Sequence, residues 1–178
     1  MYYYRITGDA ENFANFLPQN YSMKMAEQFD GRSHADGWEG LHFTLTDPND
    51  ERPIPEIITG YIPIYSRRVY EKIKDICSGF VEFLPCTVGE EKKEFFVFNI
   101  LGAQDSVDYE KSVFHRFKTG NGIKYFERIA FKEKVKAPMF RIPDLPYTYF
   151  FCTEKFKVLL EQIHVQGIQF SSELFKEE

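Results

Sequence analysis

The stretch MFRIPDLPYTYFFCTEKFKVLLEQIHVQGIQF, Met139 to Phe170, decides the fold. It predicts an extended apolar segment, a capped amphipathic helix and a short apolar strand. Thr153 is a suitable N-cap, because its hydroxyl can accept a hydrogen bond from a backbone N–H that the first helical turn leaves unpaired. Gly167 can adopt the left-handed conformation that ends a helix. We therefore predict a helix over residues 153–166, with an apolar stripe at helical spacing formed by Phe156, Leu159, Leu160 and Ile163.

A second stretch, Ile57 to Val88, has a similar design. The apolar segment ITGYIPIY leads to Ser66 as an N-cap, and Gly79 is placed to end the helix that follows. We predict this helix over residues 66–78, with an apolar stripe formed by Val69, Ile73, Ile76 and Cys77. The two stretches predict two similar strand–helix–strand units, although capping residues are common enough for the likeness to be coincidental.

The remaining segments predict further strands and short helices. Glu94 to Leu101 is apolar on both faces, which is typical of a central strand. Asn121-Gly122 is a strong hairpin-turn signal. Helices are predicted over Asp9 to Phe16 and Ser22 to Phe29. The fold class is therefore α+β: one domain over residues 1–178, a mixed or mainly antiparallel sheet, two main amphipathic helices and possible short N-terminal helices.

The composition is that of a globular protein. The 178 residues include 43% hydrophobic and 28% charged residues, which argues against disorder. Three cysteines without CxxC spacing are expected to be reduced thiols rather than a disulfide framework. No segment approaches the ~20 apolar residues of a membrane span. We expect a cytoplasmic protein without a membrane partner.

The net charge of −5 is unevenly distributed. Residues 1–60 carry ten acidic and four basic residues, whereas residues 111–136 carry eight basic and two acidic ones. The two regions either face different partners or form ordinary solvated surface.

Few residues suggest catalysis or metal binding. His34, Asp36 and His42 match no common metal-ligand spacing. Cys152 lies just before a predicted helix N-terminus, where the dipole would lower its pKa, but its aromatic neighbours favour a buried structural thiol. No hydrolase, phosphate-loop or dinucleotide motif is present. We predict no enzyme, no catalytic or metal residues and no cofactor.

The basic region, residues 111–136, predicts an alternative function. Its lysines and arginines are interleaved with aromatic residues, the combination that single-stranded nucleic acid binding requires. The same aromatic residues could instead pack one face of a hairpin, and the sequence pI of about 5.5 is not that of a typical nucleic-acid-binding protein. Nucleic acid is therefore the alternative partner and not the expected one.

Several patches together resemble one family, over about residues 29–170. They are FDG at Phe29 to Gly31 with Trp38 beyond, IPIYS at Ile62 to Ser66, VEFLP at Val81 to Pro85, EFFVFNIL at Glu94 to Leu101, Asp108-x-x-x-Ser112, FRIPDLP at Phe140 to Pro146, and GIQF at Gly167 to Phe170. Their order and spacing are similar to those of the bacterial polymorphic-toxin immunity proteins, once catalogued only as a domain of unknown function. The resemblance implies a cytoplasmic protein that neutralises a cognate toxin, encoded nearby, by binding it without catalysis. It assigns no functional residues and leaves the oligomeric state open.

The charge asymmetry suggests where such a toxin binds. The turn-rich stretch in the acidic part of the chain places three carboxylates beside the only tryptophan: Asp30, Asp36 and Glu39 around Trp38. Because toxins that act on nucleic acid are usually basic, this acidic patch could imitate phosphates and occupy the substrate groove. Alternatively, Trp38 belongs to the core and the carboxylates are merely solvated.

Overall fold

The structure is a computed structural model that describes residues 2–132, 135–145 and 149–175. Within these ranges the chain forms three α-helices, which are α1 Met23–Glu27, α2 Arg67–Ile73 and α3 Glu154–Gln162, and one 3-10 helix, Glu173–Phe175. The same ranges contain twelve strands: β1 Tyr3–Gly8, β2 Phe16–Pro18, β3 Leu41–Leu45, β4 Ile57–Ile58, β5 Ile64–Ser66, β6 Val81–Val88, β7 Lys93–Ile100, β8 Val113–Arg116, β9 Ile123–Arg128, β10 Met139–Phe140, β11 Phe150–Thr153 and β12 Ile168–Ser171.

Ten of the described strands form two main sheets. The four-stranded sheet has the order β10-β11-β1-β12, and the six-stranded sheet has the order β2-β3-β6-β7-β5-β4. Every described strand pair is antiparallel except β3 with β6. Strands β8 and β9 form a separate hairpin. The mixed α+β prediction is confirmed.

The two strand–helix–strand units have the same topology. Strands β5 and β6 are joined through α2 and flank β7, which pairs antiparallel with both. Strands β11 and β12 are joined through α3 and flank β1, which also pairs antiparallel with both. Each unit is therefore a split β-α-β arrangement, in which a strand from elsewhere in the chain lies between the two connected strands.

Both units contribute to one central cluster of buried side chains. Helix α2 contributes Val69 and Ile73, and α3 contributes Phe156 and Leu160. One face of each sheet completes the cluster, with Ile6, Met139, Phe150 and Cys152 from the four-stranded sheet and Ile57, Tyr65, Val81, Phe98 and Ile100 from the six-stranded sheet. The prediction of a single domain stays a prediction, and this shared core supports it.

The other face of each sheet has its own cluster. The loop-side cluster covers the six-stranded sheet and includes Phe29, Phe43, Leu84, Phe95 and Val97. The hairpin-side cluster covers the four-stranded sheet and includes Tyr3, Ile123, Phe126, Phe140 and Phe151. Since successive side chains of a strand point to opposite faces, β7 serves two clusters, which explains why its residues 95–98 are all apolar.

The helix caps follow the sequence prediction, while the helix lengths do not. Ser66 accepts a hydrogen bond from the Val69 N–H at 3.3 Å, and Thr153 accepts one from the Phe156 N–H at 3.4 Å. Both helices end earlier than predicted. Helix α3 ends at Gln162, and His164 already adopts the left-handed conformation, with φ of 52°. Gly167 also has a positive φ, but it lies beyond the helix end, directly before β12. Gly79 has a φ of 79° and lies in the turns that follow α2.

One further local prediction is wrong. Residues 9–16 form no helix: one turn is closed by the Phe13 N–H on the Asp9 carbonyl, and β2 then pairs with β3. Pairing with the sheet edge therefore outweighs the helical pattern.

The hairpin prediction is confirmed, but its tight turn is not at Asn121-Gly122. Gly120 alone in that loop has a positive φ, and Phe117 N–H bonds to Gly122 O across a longer loop. By contrast, Ser22 caps α1 as predicted.

None of the helices in the described ranges is long and apolar enough to cross a membrane.

Candidate partner-binding surface

The four predicted partner-binding residues lie in one surface loop, residues 29–40, which we call the acidic loop. Its two large aromatic side chains hold it against the six-stranded sheet. Phe29 is buried, and Trp38 packs edge-to-face on it with ring centroids 6.1 Å apart. The indole Nε1–H of Trp38 donates to the Pro85 carbonyl at 2.8 Å. Trp38 is therefore half-buried at the margin of the loop-side cluster, and only part of its ring faces solvent.

A single carboxylate from the sheet organises the centre of the acidic loop. Glu82, on β6, accepts hydrogen bonds from Ser33 Oγ at 2.5 Å, from the His34 N–H at 2.8 Å and from the Ala35 N–H at 3.1 Å. Asn99 on β7 donates to the same carboxylate at 3.0 Å and to the Arg32 carbonyl at 2.8 Å. Burial opposes ionisation of Glu82, but these donors outweigh it and lower its pKa.

The base of the loop is fixed by a buried arginine and a close backbone contact. Arg141 is only 3% exposed and donates to the Phe29 carbonyl at 2.5 Å and to the Ile100 carbonyl at 2.7 Å. Gly102 N–H donates to the Gly31 carbonyl at 3.0 Å. Gly31 has a φ of 98°, and a Cβ there would lie 2.7 Å from Gly102 N, so only glycine fits.

The three acidic residues of the loop differ in their surroundings. Asp30 binds the Arg32 guanidinium at 2.5 Å, and this hydrogen bond lowers the pKa of Asp30 to about 2. Asp36 and Glu39 are exposed, and within the described residues neither has an ion pair. The loop therefore presents two unpaired carboxylates on a backbone that is hydrogen-bonded at its base and centre.

The structure brings the four predicted residues onto one loop, but it gives them unequal environments. Sequence reasoning missed the three residues that hold the loop, which are Glu82, Asn99 and Arg141. Each is a polar residue within an apolar run, namely VEFLP, EFFVFNIL and FRIPDLP. That pattern is the available signal, since a buried polar side chain requires hydrogen-bond partners.

The two histidines considered as metal ligands have other hydrogen-bond partners, and the cysteine considered as a catalytic thiol is buried. His34 Nε2 lies 2.7 Å from the Gln28 carbonyl, and His42 Nδ1 lies 2.9 Å from Thr87 Oγ1. Among the described residues, no group of three or more His, Cys, Asp or Glu could hold a metal ion. Cys152 is fully buried in β11 as a free thiol, which confirms the prediction of a buried cysteine, and burial raises its pKa to about 12.

We expect Glu82→Gln to destabilise the protein by about 1–3 kcal/mol near pH 7, because a half-buried hydrogen-bonding network loses its charged acceptor. The folded-state pKa of Glu82 is lowered, so its contribution is present above the unfolded-state pKa of about 4.3. It is lost as pH falls through the folded-state pKa. The difference in unfolding free energy between wild type and variant should therefore shrink as pH falls from about 6 to about 3 in urea titrations.

Glu90→Gln is the matched control, because Glu90 is exposed on the turn between β6 and β7. This variant should match wild type within about 0.5 kcal/mol at every pH. A Glu82→Gln difference that stays constant with pH would contradict a role for the charge of Glu82.

The fold and the acidic loop together define a mixed α+β protein with a preorganised acidic surface. Residues 8–173 match the sequence model of the immunity protein family (Imm11). The chain therefore belongs to that family, and the resemblance seen in the sequence is confirmed. Family membership supports a toxin-neutralising immunity function. A search of curated proteins found no match.

Proposed function

We propose that this protein neutralises a cognate bacterial toxin by direct protein–protein binding in the cytoplasm, without catalysis. The observation that carries the proposal is the family match over residues 8–173. The toxin is expected to be encoded beside the immunity protein, and binding is expected to cover its active site or substrate channel.

The acidic loop is the proposed contact surface, with Asp30, Asp36, Trp38 and Glu39 as partner-binding residues. Its backbone is already ordered by Glu82 and Arg141, so binding loses less conformational entropy than it would with a mobile loop. Asp36 and Glu39 would attract a basic toxin and raise the association rate. The exposed part of Trp38 would slow dissociation, as aromatic interface residues commonly do.

The acidic loop alone is too small for a tight complex. Nanomolar affinity corresponds to about −12 kcal/mol, and a standard interface takes roughly 20–30 residues from each partner. Helix α1 is suited to extend the contact surface beyond the acidic loop, because His34 in the loop bonds to the Gln28 carbonyl just after this helix. Met23 at the start of α1 is 47% exposed, and methionine is enriched at interfaces.

Two experiments test the proposal in sequence. Co-expression with the toxin encoded beside this gene should restore growth, and the two proteins should co-purify. With the purified toxin, Asp36→Lys combined with Glu39→Lys should lower the association rate about tenfold or more at low salt, measured by stopped-flow fluorescence. The difference should shrink at high salt, because screening weakens the attraction.

The control variant is Asp75→Lys combined with Glu90→Lys, which changes the net charge equally at exposed positions outside the acidic loop. It should alter the association rate far less. Equal effects of the two double variants would contradict the acidic loop as the contact surface. No growth rescue and no complex would contradict neutralisation by binding itself.

A further inference from the structure

The β8–β9 hairpin has an inner and an outer face with different roles. Phe114, Ile123 and Phe126 turn inward and join the hairpin-side cluster, where Ile123 and Phe126 are buried. Packing of the hairpin therefore accounts for these residues. It does not account for the aromatic side chains that remain exposed, Phe117 and Tyr125, which are 53% and 37% exposed.

Two of the outward-facing rings hold each other in position. His115 and Tyr125 face each other across the two strands and stack with ring centroids 4.5 Å apart and an interplanar angle of 17°. His115 Nε2 lies 2.6 Å from a Glu127 carboxylate oxygen, which fixes the imidazole. Phe117 follows His115 by two residues. We call His115, Phe117 and Tyr125 the outer rings of the hairpin.

Basic residues adjoin the outer rings along the chain. Residues 111–128 carry five basic residues and one acidic residue, Glu127, within a chain of net charge −5. Lys118 and Lys124 adjoin the outer rings in sequence and are exposed. Across the described ranges, neither has an ion pair. The outer face is therefore complementary to an anionic partner with flat, stackable groups.

We propose that the outer face of this hairpin binds single-stranded nucleic acid, with bases stacked on the outer rings and phosphates near Lys118 and Lys124. Phe117 lies in the loop just after β8, so the outer rings offer one stacking site on the strands and another on the loop. Each site needs a base with a free face, which a single strand offers and a duplex, whose bases are paired and stacked on one another, does not. An acidic protein surface would satisfy the lysines but would leave the stacking faces of the rings unused.

The test uses the full chain and fluorescein-labelled dT and rU oligonucleotides of about 12 nucleotides, a length within the range that one binding module covers. Fluorescence anisotropy at about 50 mM and about 200 mM salt should show binding that weakens as salt rises. Phe117→Leu combined with Tyr125→Leu should lower the affinity about tenfold or more, since leucine keeps the apolar packing and removes the stacking face. Lys118→Ala combined with Lys124→Ala should lower the affinity and flatten its salt dependence.

Matched controls lie outside the hairpin. Tyr2→Leu alters a 70% exposed ring, and Lys72→Ala with Lys155→Ala removes two exposed lysines from α2 and α3. Both should bind like wild type. Absence of binding by wild type, equal affinity for duplex, or unchanged affinity of the folded leucine variant would overturn the proposal. Displacement of the oligonucleotide by poly-glutamate at an equal charge concentration would also overturn it and indicate an acidic protein partner.

The nucleic-acid proposal does not rest on toxin neutralisation. The hairpin variants should protect against the toxin as wild type does, so the two proposals fail separately.

Discussion

Gly167→Ala is expected to destabilise the protein by about 3 kcal/mol or more, because the new methyl group has no space and the backbone conformation is unfavourable. Gly167 has a φ of 91°, and a Cβ at this position would lie 2.1 Å from the Pro55 Cβ and 2.9 Å from its Cα. The segment cannot easily move away, since the Gly167 carbonyl accepts from the Asp9 N–H at 3.0 Å and the Gln166 carbonyl accepts from the Glu56 N–H at 3.1 Å. Chemical denaturation measures the loss.

Gly79→Ala is the matched control. Gly79 follows the other unit's helix and has a φ of 79°, but no atom lies within 4 Å of where its Cβ would be. This substitution should cost only the left-handed strain of about 1–2 kcal/mol. Equal losses in the two variants would show that the contact with Pro55 contributes nothing.

Arg141→Met is expected to destabilise the protein by about 2–5 kcal/mol and to loosen the acidic loop. Methionine fills much of the volume but leaves the carbonyls of Phe29 and Ile100 without the donors that Arg141 supplies. Both residues are buried, so water does not readily replace these donors. Denaturant titration measures the stability, and amide hydrogen exchange over residues 29–40 should become faster than in wild type.

Arg32→Met is the matched control for Arg141→Met, because it also removes an arginine beside the acidic loop but not a buried one. The side chain of Arg32 is 85% exposed and pairs with Asp30 at the surface. Its substitution should leave the free energy of unfolding close to that of wild type, because solvent screens an ion pair at the surface. If Arg141→Met left exchange in the acidic loop unchanged, Arg141 would be a core residue with no role in ordering the surface.

The sequence of this protein determined the features that depend on neighbours along the chain. Ser66 and Thr153 cap their helices as predicted, because a cap needs only a hydroxyl placed before the first turn. The double-sided apolar pattern of Glu94 to Leu101 correctly indicated a central strand, since β7 is covered on both faces. The ordered patches from Phe29 to Phe170 indicated the immunity family, which the match over residues 8–173 confirms.

The tertiary structure alone decided the features that depend on contacts between distant residues. Phe16–Pro18 is a strand because β3 offers it an edge, although its own sequence predicts the end of a helix. The need for glycine at Gly167 comes from Pro55, which lies more than a hundred residues earlier in the chain. The acidic loop was visible as a cluster of charges, but its order comes from Glu82, Asn99 and Arg141, which reach it from β6, from β7 and from the segment after β10. A buried polar group in a sequence shows that a partner is needed, and only the folded chain shows which one.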